Sequence, residues 1–522
     1  MWLEILCVSV VSLWALYWYL TKDYKHWTNL GIAQDEPSFP WGSLLGEVIK
    51  GKKSSAELLR DQYDRYNTKA YGGYIFLKPI LVIRDPELAK IVLVRDFNNF
   101  VDRSGSITRD RSKHSTLTDK IWSRQLTTLV GDEWKCIRST LSPIFTSGKM
   151  KVMFSLMKVV SNEFVDVIRK YSDEEKAFDL KDLCGRFTMD SISSCAIGVN
   201  AGSFHEDETA FVKNAKGLFD RSILAMLFYV LSLIPGVNDL FGRLGISVSR
   251  PQETKFFYNV IKATVEARQK SGEKRNDVID LMIRIMKEEE IAAQDEDLDQ
   301  FENDAKLKGP VKKAEFDELT MIANAMVMLL AGYETTATTM AWALFEITRD
   351  AKIQKKLAEE IQQFDDPSYA DFMNMPYLDC VVNESLRKYP QATAISRGSQ
   401  SNYVLEDVNI PIRQGHDVYV NVIGIHYDPQ YYATPYEFNP DHFTREAKAA
   451  RHPYAFLPFG HGPRACIGMR FAILELKIAL FYAVQNFELL KCEQTPDVVE
   501  FDPKSGFTSS KHPLIIKACL RT

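Results

Sequence analysis

From Asp317 to Arg349 the sequence holds one unbroken helical pattern, with Leu319, Ile322, Ala323, Met326, Val327, Leu330 and Ala331 along a single face. At 1.5 Å per residue such a helix runs about 50 Å, long enough to cross the whole body of a large domain. In its middle stands Ala331-Gly332-Tyr333-Glu334-Thr335-Thr336. Glycine in a helix interior costs roughly 1 kcal/mol against alanine, so its use predicts close approach of something flat or small to the backbone at 331 and 332. Glu334 and Thr335 add an acid and a hydroxyl side by side in an otherwise apolar stretch.

A second constraint is Pro458-Phe459-Gly460-His461-Gly462-Pro463-Arg464-Ala465-Cys466-Ile467-Gly468, just ahead of an apolar helical run from Phe471 to Leu480. Its glycines allow turns at φ > 0 or close approach to a partner. A cysteine at a helix start is biased toward the thiolate by amide N–H groups and the positive end of the dipole. The chain has eight cysteines, at 7, 136, 184, 195, 380, 466, 492 and 519, with no CxxC. Zinc and iron-sulfur sites need several ligands at short spacing, which leaves a single soft thiolate, and haem is the cofactor that takes one. The same scatter fits a reduced compartment.

The pattern Phe459-Gly460-x-Gly462-x-Arg464-x-Cys466-x-Gly468 resembles the haem-ligating loop of the cytochrome P-450 superfamily, and Ala331-Gly332-x-Glu334-Thr335 resembles that family's acid-threonine motif. The resemblance implies the cytochrome P-450 fold, mainly α with a smaller β portion, as one catalytic domain. It implies haem b, iron protoporphyrin IX, with Cys466 as axial thiolate and metal ligand, and Ala331, Gly332, Phe459, Arg464 and Gly468 at the cofactor. Thr335 and Glu334 inherit proton delivery to O2, a job that suits a hydroxyl backed by a carboxyl relay. Trp134 and Arg138, four apart on one helix face, inherit a grip on a haem propionate, and Arg397 on the second. Glu384 and Arg387 match the buried structural lock, except that His442 stands where the family has an arginine. Ala392, Ile395, Phe507 and Thr508 are expected to face the substrate cavity. Ser142 to Lys151 resembles the drug- and toxin-oxidising clan of animal members, notably the insect enzymes.

The front of the chain carries an apolar run from Ile5 to Leu20, usable as a span if Trp2 and Leu3 are counted. It has neither the basic leader nor the small-residue site of a cleaved signal, and Lys22 and Lys25 behind it place the rest on the cytosolic side. We read 1–21 as a membrane anchor, 22–50 as a linker with a hinge at Glu36-Pro37-Ser38-Phe39-Pro40-Trp41-Gly42, and 51–522 as the haem-thiolate domain. Trp14, Tyr17, Trp18, Tyr19 and Trp27 are expected at the headgroup level. Gly73 to Ile83 predicts a hairpin around a Lys-Pro turn. Arg103 to Lys120 corresponds to a cavity-lining loop of the family. Ser222 to Pro235 is read either as a buried helix or as a patch dipping into lipid. Lys287 to Lys313 is a charged, solvated stretch.

A net charge of -5 and a pI near 6.1 argue against nucleic acid as a partner. No flavin or nicotinamide fingerprint is present, so electrons for a monooxygenase must come from a partner. The resemblance implies NADPH-cytochrome P-450 reductase, with cytochrome b5 as an additional donor, at the cytosolic face of the endoplasmic reticulum membrane. Lys135, Lys149, Arg464 and Lys477 are candidates for the docking face. The expected reaction puts one atom of O2 into a lipophilic small molecule. A haem-thiolate isomerase of peroxides and a haem sensor without turnover are the alternatives.

Overall fold

The computed structural model describes residues 2–104, 115–205, 208–219, 231, 237–247, 249–287, 300–307 and 316–521. Most of the three stretches expected at 103–120, 222–235 and 287–313 lies outside the described residues. The elements used below are, in chain order, α1 (Trp2–Thr21), β1 (Ala70–Ile75), β2 (Lys78–Ile83), α2 (Gly131–Leu141), α3 (Ser147–Asp173), β3 (Phe178–Asp179), α4 (Leu180–Ile192), α5 (Glu318–Arg349), α6 (Pro376–Lys388), β4 (Ile395–Gly398), β5 (Asp417–Val420), α7 (Met469–Asn486), β6 (Phe487–Leu490) and β7 (Ile515–Leu520). The chain divides into two compact units. One comprises Met1–Ser104, Ala392–Ala433 and His452–Leu457, the other Gly105–Gln391, Thr434–Arg451 and Pro458–Thr522.

The first unit is built on a four-stranded sheet in the order β1-β2-β5-β4. β1 and β2 form the expected hairpin, but Ile75 faces Lys78, so the turn is Phe76-Leu77, with Phe76 at φ 53. Lys78 and Pro79 open β2 instead of making the turn, a place where proline removes no central ladder bond. Apolar side chains of the strands gather with Trp27, Tyr63 and Leu88 into one core. Trp27 is therefore not a headgroup residue: it is 0% exposed. The reason is Gly72, where a Cβ would stand 2.2 Å from Trp27 Cγ, so the indole lies directly on the strand backbone. α1, by contrast, buries none of its residues and has a mean hydropathy of 1.7, long and apolar enough to cross a membrane.

The second unit is organised around α5. Asp317 caps it by accepting a hydrogen bond from Thr320 N at 2.8 Å, so the helix begins one residue after the predicted start. α4 packs across its middle at Gly332, where a Cβ would meet Ile192 Cδ1 at 2.9 Å. α7 follows the cysteine loop and packs on α3 and α5. A smaller sheet pairs β7 with both β3 and β6.

Candidate active site

In the cysteine loop Gly460 and Gly462 take φ 71 and 73, conformations that exclude most side chains. Gly468 does not, at φ -91, and a Cβ there would only touch the Phe145 ring at 3.9 Å. Cys466 N donates to Phe459 O at 2.9 Å, which closes the loop on itself. Residues 461–465 are buried, yet Cys466 is exposed, three residues ahead of α7. A thiol so presented, close to a helix N-terminus, suits a soft metal ion.

Trp134 and Arg138 of α2 both reach this loop. Arg138 Nη1 donates to Ala465 O at 2.9 Å. The cation over the Trp134 ring is Arg464, at 3.9 Å from the centroid, and it donates to Leu129 O at 2.8 Å. Both arginines are buried. In the first unit Arg397 on β4 is 2% exposed, and its Nε has no hydrogen-bond partner among the described residues. Burial, then Arg103, pushes its guanidinium down to about 9. Buried cations of this kind call for anions. Within the second unit, the exposed Cys466 and the buried Arg138 and Arg464 on one loop are a donor set that fits a metal macrocycle bearing carboxylates, such as haem.

On α5, Ala331 is exposed while Leu329, Leu330 and Tyr333 are buried. Gly332 serves helix contact, since its open side faces Ile192. Thr335 Oγ1 donates to Ala331 O at 2.6 Å. Glu334 Oε1 lies 2.8 Å from Lys181 Nζ, and Lys181 also donates to Thr338 Oγ1 at 2.8 Å. Lys181 and Thr338 border a cavity of about 230 Å³ shared with Asp179, Ala341, Trp342 and residues 509–514. Lys181 was not legible in the sequence, because no spacing rule connects positions on different helices.

The Glu384 and Arg387 pair on α6 is 0% exposed. Arg387 donates to both carboxylate oxygens at 2.8 and 2.7 Å, and to Pro435 O and Glu437 O at 2.8 and 3.0 Å. Asn439 N donates to Glu384 at 2.8 Å, and His442 Nδ1 sits 3.2 and 3.3 Å from its two oxygens. One ring nitrogen thus bridges both oxygens, and the backbone around 435–439 supplies the rest. Desolvation pushes the Glu384 carboxyl up, but the hydrogen bonds from Arg387 and His442 prevail and hold it below the usual range.

Thr508 is buried and its hydroxyl donates to Tyr389 O at 3.2 Å, while Phe507 meets Phe219 edge-on at 5.8 Å between centroids. In the first unit Ala392 is exposed and Ile395 half-buried. Two of the proposed docking cations are corrected. Arg464 is 4% exposed and Lys477 2%, the latter held by Asp379 at 2.7 Å, so neither offers charge to a partner.

A thiol loop, buried arginines and an acid-threonine helix in a mainly α body define a haem-thiolate oxygenase, and comparison with known proteins shows it. The family model for cytochrome P450 matches residues 37–518, so the chain belongs to the cytochrome P450 family and is a monooxygenase. Among its relatives, cytochrome P450 6k1 of Blattella germanica is 31% identical, covering 98% of this chain and 96% of its own. Cytochrome P450 3A9 of Rattus norvegicus is 32% identical over 99% and 97%, and lithocholate 6-beta-hydroxylase of Mesocricetus auratus is 32% identical over the same shares. The chain is thus similar to microsomal, xenobiotic-metabolising members, insect and mammalian alike. Membership carries a haem-thiolate centre, a redox partner, O2 and a lipophilic substrate.

Proposed function

We propose that Cys466 is the axial thiolate of haem b in a microsomal monooxygenase that oxidises lipophilic small molecules with electrons from NADPH. The single observation that carries this is the exposed Cys466 directly after the buried residues 461–465, in a loop whose neighbours are Arg138 and Trp134. Haem bound there supplies the activation of O2, one atom going to substrate and the other to water. Arg138 and Arg464 would hold a propionate through charge-assisted hydrogen bonds, with Arg464 lying over the Trp134 ring; Arg397 of the first unit is the candidate for the other propionate. The exposed Ala331 on α5, and Phe459 and Gly468 in the cysteine loop, would leave room for the macrocycle, while Gly332 is taken up by Ile192. Glu334 passes protons inward from the Lys181 side, and Thr335 hands them on from its hydroxyl. Glu384, Arg387 and His442 brace the 435–442 segment. Ala392, Ile395, Phe507 and Thr508 line the substrate side.

α1 anchors the enzyme in the endoplasmic reticulum membrane with the catalytic body on the cytosolic face, where lipid-dissolved substrates concentrate. NADPH-cytochrome P-450 reductase is the donor, with cytochrome b5 as a second. Lys135 and Lys149 remain as candidate docking cations. The reduced, carbon-monoxide difference spectrum of the membrane-bound protein tests this reading. A thiolate-type band is expected in the natural protein and none in Cys466→Ser; an unchanged band in the serine variant overturns it. NADPH consumption with reductase and a lipophilic probe, giving an oxygenated product, excludes a sensor without turnover.

A further inference from the structure

Glu475 lies on α7, nine residues after Cys466, and is 0% exposed. Among the described residues no cation pairs with it. Its carboxyl faces two hydroxyls, Ser191 on α4 and Thr336 on α5, both also buried. Both carboxyl oxygens and both hydroxyls are buried, and none of the four is in closed hydrogen-bond geometry among the described residues. An ionised carboxylate in such a place costs several kcal/mol, whereas a neutral acid gains a proton with which to bond a hydroxyl. Burial raises the Glu475 carboxyl well above the carboxylate range, in line with that geometry.

Thr336 supplies an independent sign. Thr335, Thr338, Thr339 and Thr348 on the same helix each turn back to the carbonyl four residues earlier. The Thr336 hydroxyl does not: it is buried without a closed hydrogen bond and bears on the Glu475 carboxyl instead. The cluster is one residue from Thr335, and the residue after Ser191 is Ile192, which packs on Gly332. It therefore sits where the helix behind the cysteine, the acid-threonine helix and α4 meet.

We propose that Glu475 is a positioning residue: as a neutral acid hydrogen-bonded to Thr336 and Ser191, it fixes the cysteine helix against the acid-threonine helix and holds Thr335 in register during turnover. The inference rests on the role given to Thr335 above. A neutral carboxyl that donates its proton to one hydroxyl and accepts from the other joins three helices in a way that slides less than an apolar contact, because a displaced partner leaves a buried polar group unpaired.

Infrared spectroscopy of the full-length holoenzyme at neutral pH tests the protonation. A carbonyl stretch of a neutral carboxylic acid, shifted in D2O and missing in Glu475→Gln, is expected; its absence from the natural protein overturns the proposal. Coupling in the presence of reductase tests the positioning. Glu475→Gln keeps the thiolate-type band and its product per NADPH. Glu475→Leu keeps the band but loses product per NADPH by about threefold or more, with hydrogen peroxide rising to match. Should Glu475→Leu fail to hold pigment, Ser191→Ala, which removes one partner and little volume, must show a loss of coupling in the same direction. Unchanged coupling in whichever of these holds pigment overturns the proposal. Thr335→Val run alongside separates the two readings: full coupling there removes the role of Thr335, while the infrared band still decides the state of Glu475.

Discussion

Lys181 Nζ lies 2.8 Å from Glu334 Oε1, so the acid assigned to proton relay is held by a cation from another helix. The pair is partly exposed, 32% and 15%, and such pairs are worth no more than about 1 kcal/mol to stability. Its contribution is to orientation. Lys181→Met is expected to leave thermal unfolding within about 1 kcal/mol of the natural protein and to preserve the thiolate-type band. Product per NADPH with reductase is expected to fall by about two- to tenfold, and unchanged coupling would count against the relay.

Gly72 presents a sharper steric case. A Cβ there would lie 2.2 to 2.6 Å from Trp27 ring and Cβ atoms, and the indole is fully buried. Overpacking of this kind costs roughly 1–3 kcal/mol and occasionally more, and a rigid ring cannot step aside cheaply. Gly72→Ala is expected at or above the upper end, read as a lower urea midpoint. Trp27→Leu in the same chain should recover part of it.

The Glu384 lock has a pH signature. Its folded carboxyl is held below its unfolded value of about 4.3, so the stabilisation is complete above that value and is lost as pH falls through the folded one. Unfolding free energy should be flat in this respect near neutrality and decline below about pH 4.3. His442→Ala removes one bridge and is expected to cost about 1–3 kcal/mol at neutral pH. It should also shallow the acid limb, as measured by urea titrations across pH.

Glu475 has the opposite sign. A folded carboxyl raised well above its unfolded value means that the unfolded chain releases a proton which the folded one keeps, so stability falls as pH rises from about 4.3 toward the folded pKa. Glu475→Gln removes this slope. The gain of Glu475→Gln over the natural protein should therefore widen between mildly acidic and mildly alkaline pH. A constant difference would mean that Glu475 is ionised in the fold.

Much of the site was legible locally. The long helix was placed to within one residue because apolar periodicity and an Asp cap are written in adjacent positions. The pairing of Glu384 with Arg387 follows from three-residue spacing, and the two positive-φ glycines of the cysteine loop from residue type. Other assignments failed for a physical reason. Trp27 follows the apolar leading helix and reads as interfacial, but a glycine more than forty residues later gives it a slot in the core. Lys477 reads as a surface cation and is neutralised by Asp379. Gly332 invited a cofactor reading, and its packing on Ile192 supplies another use.

From the sequence alone came the inventory and the local geometry: a rod of sufficient length, one thiol in a glycine-rich turn ahead of a helix, an acid beside a threonine, an apolar leading helix. Those follow from covalent spacing and side-chain type, which act within a few residues. Only the tertiary structure decided that Arg464 covers Trp134, that Lys181 holds Glu334, and that the Ser191 and Thr336 hydroxyls bear on Glu475. Burial, and with it the charge a carboxyl carries, depends on what the rest of the chain brings against it, and residues hundreds of positions apart have no local rule that brings them together.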